Sequence, residues 1–184
     1  NYNLNKINKE CIIKYNQKLN TYLLYIPVNT NTYKFNDSNE ISIDLGLRTF
    51  ITGVSNNDII EMGNNAQSKI NKKLKRLDKI MSYKKESIKK KYQGLINKKL
   101  RNLRDELHWK SINYLVNNYQ TITIGELNSK DIVHKDNSLN KIVKRQCMFY
   151  SFYLFRQRLE YKGQQHNRTV KYVDEAYTSK LCSY

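Results

Sequence analysis

EISIDLGLRTFITGVSNNDIIEMG, residues 40–63, alternates β-branched and polar residues between turn signals. Strand-like Ile41 to Asp44 turns at Leu45-Gly46 into Thr49 to Val54, and Asn56-Asn57 sets a hairpin turn before Ile59 to Met62. Three consecutive antiparallel strands are predicted, the first ending on a carboxylate, Asp44.

On the N-terminal side, CIIKYNQKLNTYLLYIPV, residues 11–28, reads as a further hairpin around a polar turn, and polar residues 29–39 as a linker. On the C-terminal side, the period changes to helical spacing from Asn65 to Asn118. Ile70, Leu74, Leu77, Met81 and Ile88, then Tyr92, Ile96, Leu100, Leu103, Leu107, Tyr114 and Leu115, make a narrow apolar seam with basic flanks. So long a stretch requires a reversal, at Ser82-Tyr83 by preference or else at Gly94, and the second arm closes in the better packed His108 to Tyr119. Thr121 to Glu126 reads as a short strand ending in a carboxylate, 128–138 as a loop, Leu139 to His166 as a helix and Thr169 to Val173 as one more buried strand. Strand, helix, strand implies a parallel crossover. The order is three antiparallel strands, a helical pair, then β-α-β, which suits an RNase H-like mixed sheet and other α/β folds as well.

The chain has 184 residues, enough for one domain with a real core and an appendage. Thirty-three Lys and Arg against sixteen Asp and Glu give a net charge of +17, so a polyanion is the expected partner. No apolar run approaches the roughly 20 residues of a membrane span, and a soluble chain is expected. The start at Asn1 lacks a signal peptide and reads as internal, and three scattered cysteines argue for a reducing, intracellular compartment.

Two carboxylates stand out, Asp44 at the end of the first core strand and Glu126 at the end of the strand after the helices. If those strands lie side by side and parallel, both project from one edge, where hard oxygen ligands suit Mg²⁺ and two-ion phosphodiester hydrolysis. The plainer reading is a turn residue and a solvated charge. Cys182 is half of a Cys-x-x-Cys zinc knuckle or a small buried hydrophobe. His108 and Trp109 read as packing or capping residues. The aromatic run Phe149, Tyr150, Phe152, Tyr153 and Phe155 reads mostly as core, with Tyr150 or Tyr153 free to stack on a base. The cations Lys72, Lys73, Lys75, Arg76, Lys84, Lys85, Lys89, Lys90, Lys91, Lys98, Lys99, Arg101 and Arg104 form a solvated face or, given their single sign, a phosphate-contacting one.

ISIDLGLRTFITG (41–53) resembles the first RuvC motif of the TnpB and Fanzor nucleases, and DELHWKSINYLVNNYQTITIGEL (105–127) the helix and strand leading to the second. EAYTSKLCSY (175–184) resembles the start of that family's Thr-Ser-Lys-x-Cys zinc element. The resemblance implies a RuvC-type, RNase H-like core over 39–184 with a basic helical insertion at about 65–118, after the last strands of a wedge-like β domain and a linker in 1–38. It implies Asp44 and Glu126 as metal-binding carboxylates, with Glu175 competing for the second place, and Cys182 as first zinc ligand in a longer protein. It also adds Thr178, Ser179 and Lys180 to the nucleic-acid contacts. The family's third carboxylate has no counterpart in these residues. The implied activity is an RNA-guided, Mg²⁺-dependent DNA endonuclease tied to transposition, partnered by guide RNA and target DNA. Its place is the cytoplasm or nucleoid of a bacterium, or a eukaryotic nucleus. The alternatives are an inactive nucleic-acid-binding remnant or an RNase H-like enzyme of another job, such as a resolvase or transposase.

Overall fold

The computed structural model describes residues 9–17, 19–27, 38–125 and 140–173. Strands β1 (Ile12–Asn16) and β2 (Thr21–Tyr25) pair antiparallel as a separate ribbon, with Ile13 opposite Leu24. The main sheet holds β3 (Glu40–Leu45), β4 (Ile51–Ser55), β5 (Ile59–Met62), β6 (Thr121–Gly125) and β7 (Thr169–Val173) in the order β5-β4-β3-β6-β7. β5, β4 and β3 are antiparallel neighbours, while β6 runs parallel to β3 and β7 parallel to β6. The fold is therefore mixed α/β around a mixed sheet.

Pleating sorts the central strand cleanly. Ile41, Ile43 and Leu45 are buried, while Ser42 and Asp44 are exposed. Ile41 faces Ile122 and Ile43 faces Ile124 across the parallel ladder, so one sheet face carries a continuous apolar layer. Gly53 keeps that layer flat, since a Cβ there would lie 2.8 Å from Ile41 Cδ1 and 2.9 Å from Ile60 Cγ1.

The described residues form four helices. α1 (Ala66–Met81) and α2 (Glu86–Asn118) form an antiparallel pair that reverses over Ser82–Lys85, the preferred position, leaving Gly94 inside α2. The last three turns of α2 press His108, Ser111, Ile112, Leu115 and Val116 into the core. Each fully buried aliphatic side chain contributes about 1.5–3 kcal/mol. At the other end of the pair the seam fails. Met81, Ile88 and Tyr92 are exposed because, among the described residues, α1 and α2 alone meet there and side chains off their contact line are left uncovered.

The helix expected over 139–166 is two helices, α3 (Lys141–Tyr150) and α4 (Phe152–Gln165). Ser151, at φ +51°, breaks it in the left-handed region. The break resolves the aromatic density that no single helix face could hold. Phe50 is the hub, with His108, Tyr150 and Phe152 stacked at 5.5, 5.3 and 6.1 Å and Phe155 edge-on at 5.2 Å. Tyr150 is fully buried, which corrects the expectation that it could stack on a base; Tyr153 is the exposed one. β7 is corrected too. At the edge of the sheet among the described strands, it leaves all but Val170 exposed.

Candidate active site and nucleic-acid interface

Asp44 stands one residue before the end of β3, on the face of the sheet that the helices leave open. The loop behind it is tightly specified. Gly46 N–H donates to Phe50 O at 3.2 Å, and a Cβ on Gly46 would lie 2.7 Å from the Thr49 carbonyl oxygen. Phe50 then anchors the loop in the aromatic core, and Tyr150 Oη donates to Leu47 O at 3.3 Å. The strand end that carries Asp44 is thus held from below by packing, while its carboxylate takes no hydrogen bond or ion pair from any other described residue.

The parallel register sets Ile43 beside Ile124, so Asp44 lies at the same end of the sheet as Gly125, the last described residue of β6. Glu126, Glu175 and Cys182 lie outside the described residues, as do Thr178, Ser179 and Lys180. Across β4, Asp44 pairs with Thr52 and Thr52 with Glu61, which puts a second carboxylate in the same row two strands away. Two inter-strand steps make that roughly 10 Å, too far to share one ion. Among the described residues no group of three His, Cys, Asp or Glu could hold a metal.

The cations gather on the helical pair. Residues 66–104 carry fifteen Lys and Arg and two acids, Asp78 and Glu86. Only Lys89, with Glu86 at 3.4 Å, and Arg104, with Asp105 at 3.2 Å, are ion-paired within the described residues. Lys72, Lys75 and Arg76 are exposed on one face of α1, and Lys84, Lys85, Lys90, Lys91, Lys98, Lys99 and Arg101 are exposed at the reversal and along α2. Lys73 is half-buried. Lys79, spaced to join the α1 face, escaped the sequence reading. A cavity of about 420 Å³ lies where the β1–β2 turn approaches α2, lined by Asn16, Leu19, Gly94, Asn97, Arg101 and Arg104 among others.

Polar ties fix this surface to the core. Arg145 on α3 donates to both carboxylate oxygens of Asp78 on α1, at 2.9 and 2.8 Å. Gln146 donates to Asn71 and accepts from Gln67. On α4, Arg158 donates to Asp105 Oδ1 at 2.8 Å and to His108 Nδ1 at 3.2 Å, and lies over the Trp109 ring at 5.2 Å. His108 Nε2–H donates to Tyr150 O at 2.8 Å. Burial, with the Arg158 and Arg104 charges helping, pushes the His108 pKa down to about 4 despite that carbonyl, so the ring is neutral. Burial also acts to raise the Asp105 carboxyl, but Arg158 and Arg104 outweigh it and hold it low. His108 is a packing residue, as expected, and also the polar joint between α2 and α4, whereas Trp109 stays exposed with the Arg158 guanidinium over its ring.

Residues 23–136 match the OrfB_IS605 family model, described as "Probable transposase", and residues 152–184 match the Cas12f1-like TNB domain. TnpB-like proteins L79 and L770 of Acanthamoeba polyphaga mimivirus are each 33% identical to this chain, over 98% and 96% of its length. The chain spans 37% and 36% of those relatives. A Cas12f1 chain solved in complex with sgRNA and target DNA superposes with a TM-score of 0.56 at 19% identity, covering 94% of this chain and 44% of that one. A chain of a CRISPR-Cas12f ternary complex gives 0.55, also at 19% identity, covering 94% of this chain and 36% of its own length. At that identity the likeness concerns the fold.

Proposed function

We propose a function from one premise: this chain belongs to the OrfB_IS605 family of TnpB-like transposases. It is the core of an RNA-guided, metal-dependent DNA endonuclease. The mixed sheet is the RNase H-like, RuvC-type core over 39–184, α1 and α2 are its helical insertion, and the β1–β2 ribbon belongs to a wedge-like domain. The observation that carries the reading is the parallel pairing of β3 with β6, which sets the Asp44 end of β3 beside the end of β6 that leads to Glu126.

Asp44 and Glu126 are the carboxylates that would hold Mg²⁺, with Glu175 the competitor of Glu126. Asp44 suits that task because it is exposed and engaged by no other described residue. When bound, two such ions would supply an activated water and stabilise the leaving oxygen of a phosphodiester. Asp44 contributes a fixed hard oxygen, since its strand end is locked by the Gly46 turn and the Phe50 anchor. The basic flanks of α1 and α2 neutralise phosphates of a guide RNA paired with target DNA, reading shape and backbone rather than base edges. Cys182 would be the first ligand of a zinc site.

The test is cleavage of target DNA by the open reading frame that contains this chain, purified with its own flanking transcript in Mg²⁺. Guide-dependent cutting that Asp44→Asn abolishes is expected. Cutting indifferent to the RNA would point to another RNase H-like enzyme, and RNA and DNA binding without cutting to an inactive remnant.

A further inference from the structure

The far end of the α1–α2 pair is not uniformly charged. α1 leaves the sheet after β5 and α2 returns to β6, so the reversal at Ser82–Lys85 stands about 24 Å along α1 from its sheet end, by the 1.5 Å rise of sixteen residues. There Met81, Tyr83, Ile88, Tyr92 and Leu95 are exposed, Tyr83 at 41% and Tyr92 at 44%. Ile88, Tyr92 and Leu95, spaced by four and three, make one stripe on α2 that continues into Lys99. Lys84, Lys85 and Lys91 rim it and are exposed. Neither tyrosine side chain has a hydrogen-bond or ring partner among the described residues.

We infer that this tip is a stacking platform for a nucleic-acid strand with unpaired bases. The inference rests on the nucleic-acid reading above and adds which strand state the tip prefers. A duplex offers phosphates to the lysines but hides its base faces, leaving the apolar stripe in water. An unpaired strand satisfies both chemistries, its phosphates lying along the lysine rim and its bases on Tyr83 and Tyr92. Stacking of this kind tolerates any sequence, because every base has a π-face. A protein partner would need its own acidic rim to meet the same lysines, whereas a polyanion meets them along its whole length.

The experiment uses the complete 184-residue chain and two probes, a labelled oligothymidine and a labelled duplex of equal length. Tyr83→Ala with Tyr92→Ala is expected to weaken oligothymidine binding about thirtyfold or more, the low end of what losing two stacked bases brings. Duplex affinity and the slope of log K against log salt stay as in the wild type, and Tyr83→Phe with Tyr92→Phe restores binding. A 2-aminopurine reporter in the strand is quenched by the wild type and not by the alanine pair. Unchanged oligothymidine affinity in the alanine pair, or equal weakening on both probes, overturns the platform while leaving phosphate binding in place. Failure of the wild type to bind either probe overturns the nucleic-acid reading itself.

Discussion

His108 is a neutral imidazole packed flat against Phe50, and its charge state links the core to pH. Its pKa lies at about 4 in the folded chain against 6.5 in the unfolded one, so the unfolded state binds the extra proton first as pH falls. The stabilisation is complete above pH 6.5 and is lost as pH drops toward 4, a change of about 3 kcal/mol from the 1.36 kcal/mol that each pKa unit represents. Urea unfolding at several pH values should show that loss in the wild type and a flatter curve in His108→Gln; parallel curves would remove His108 as the cause. Gly46 supplies a second residue-scale prediction. Gly46→Ala should destabilise by about 1–3 kcal/mol, the range of overpacking, because the new methyl group meets a backbone carbonyl that has little room to move. Which glutamate joins Asp44 is also a residue-scale question. In the guide-dependent cleavage assay Glu126→Gln should abolish cutting; normal cutting by that variant alongside a dead Glu175→Gln would reassign the role.

The elements differ in how far local sequence could predict them. Strands β3, β4 and β5 alternate in period two between strong turn signals, and each forms where the pattern sets it. The α1–α2 reversal likewise falls at the polar Ser82-Tyr83 step. The long helix over 139–166 failed because Ser151 carries no breaking signal; its left-handed backbone is imposed by packing Tyr150, Phe152 and Phe155 around one hub. Ser151→Gly should therefore raise stability, by about 0.5–1 kcal/mol, since glycine adopts that conformation without the Cβ penalty. A thermal melt with no upward shift would show that the Ser151 backbone is not strained. On α1, Lys72, Lys75, Arg76 and Lys79 share one outward face. Replacing the four with Ala should lower the salt slope of duplex binding by about 0.9 for each phosphate that is no longer neutralised, with no change in the melt. An unchanged slope would make that face a solvated one.

At the scale of the whole molecule, charge and core are segregated. One sheet face and the base of α2 hold the apolar mass, while the helical pair carries nearly half of the chain's cations and the other sheet face carries Asp44. That separation would let a polyanion bind without disturbing the core, and among the described residues the Asp44 edge stays open. The amino-acid order by itself determined the positions of β3, β4 and β5 and of the α1–α2 reversal, and it supplied the charge from which a polyanion partner is expected. These follow from periodicity and turn chemistry, which act over a few residues, and from a charge count that needs no structure. Only the tertiary structure decided that β6 lies parallel beside β3, that Tyr150 is buried while Tyr153 is exposed, that β7 is an edge, and that Ile88 and Tyr92 leave the seam. Each of these depends on which surfaces meet across long sequence separations, and an apolar residue at helical spacing carries no mark of whether a partner waits on its far side.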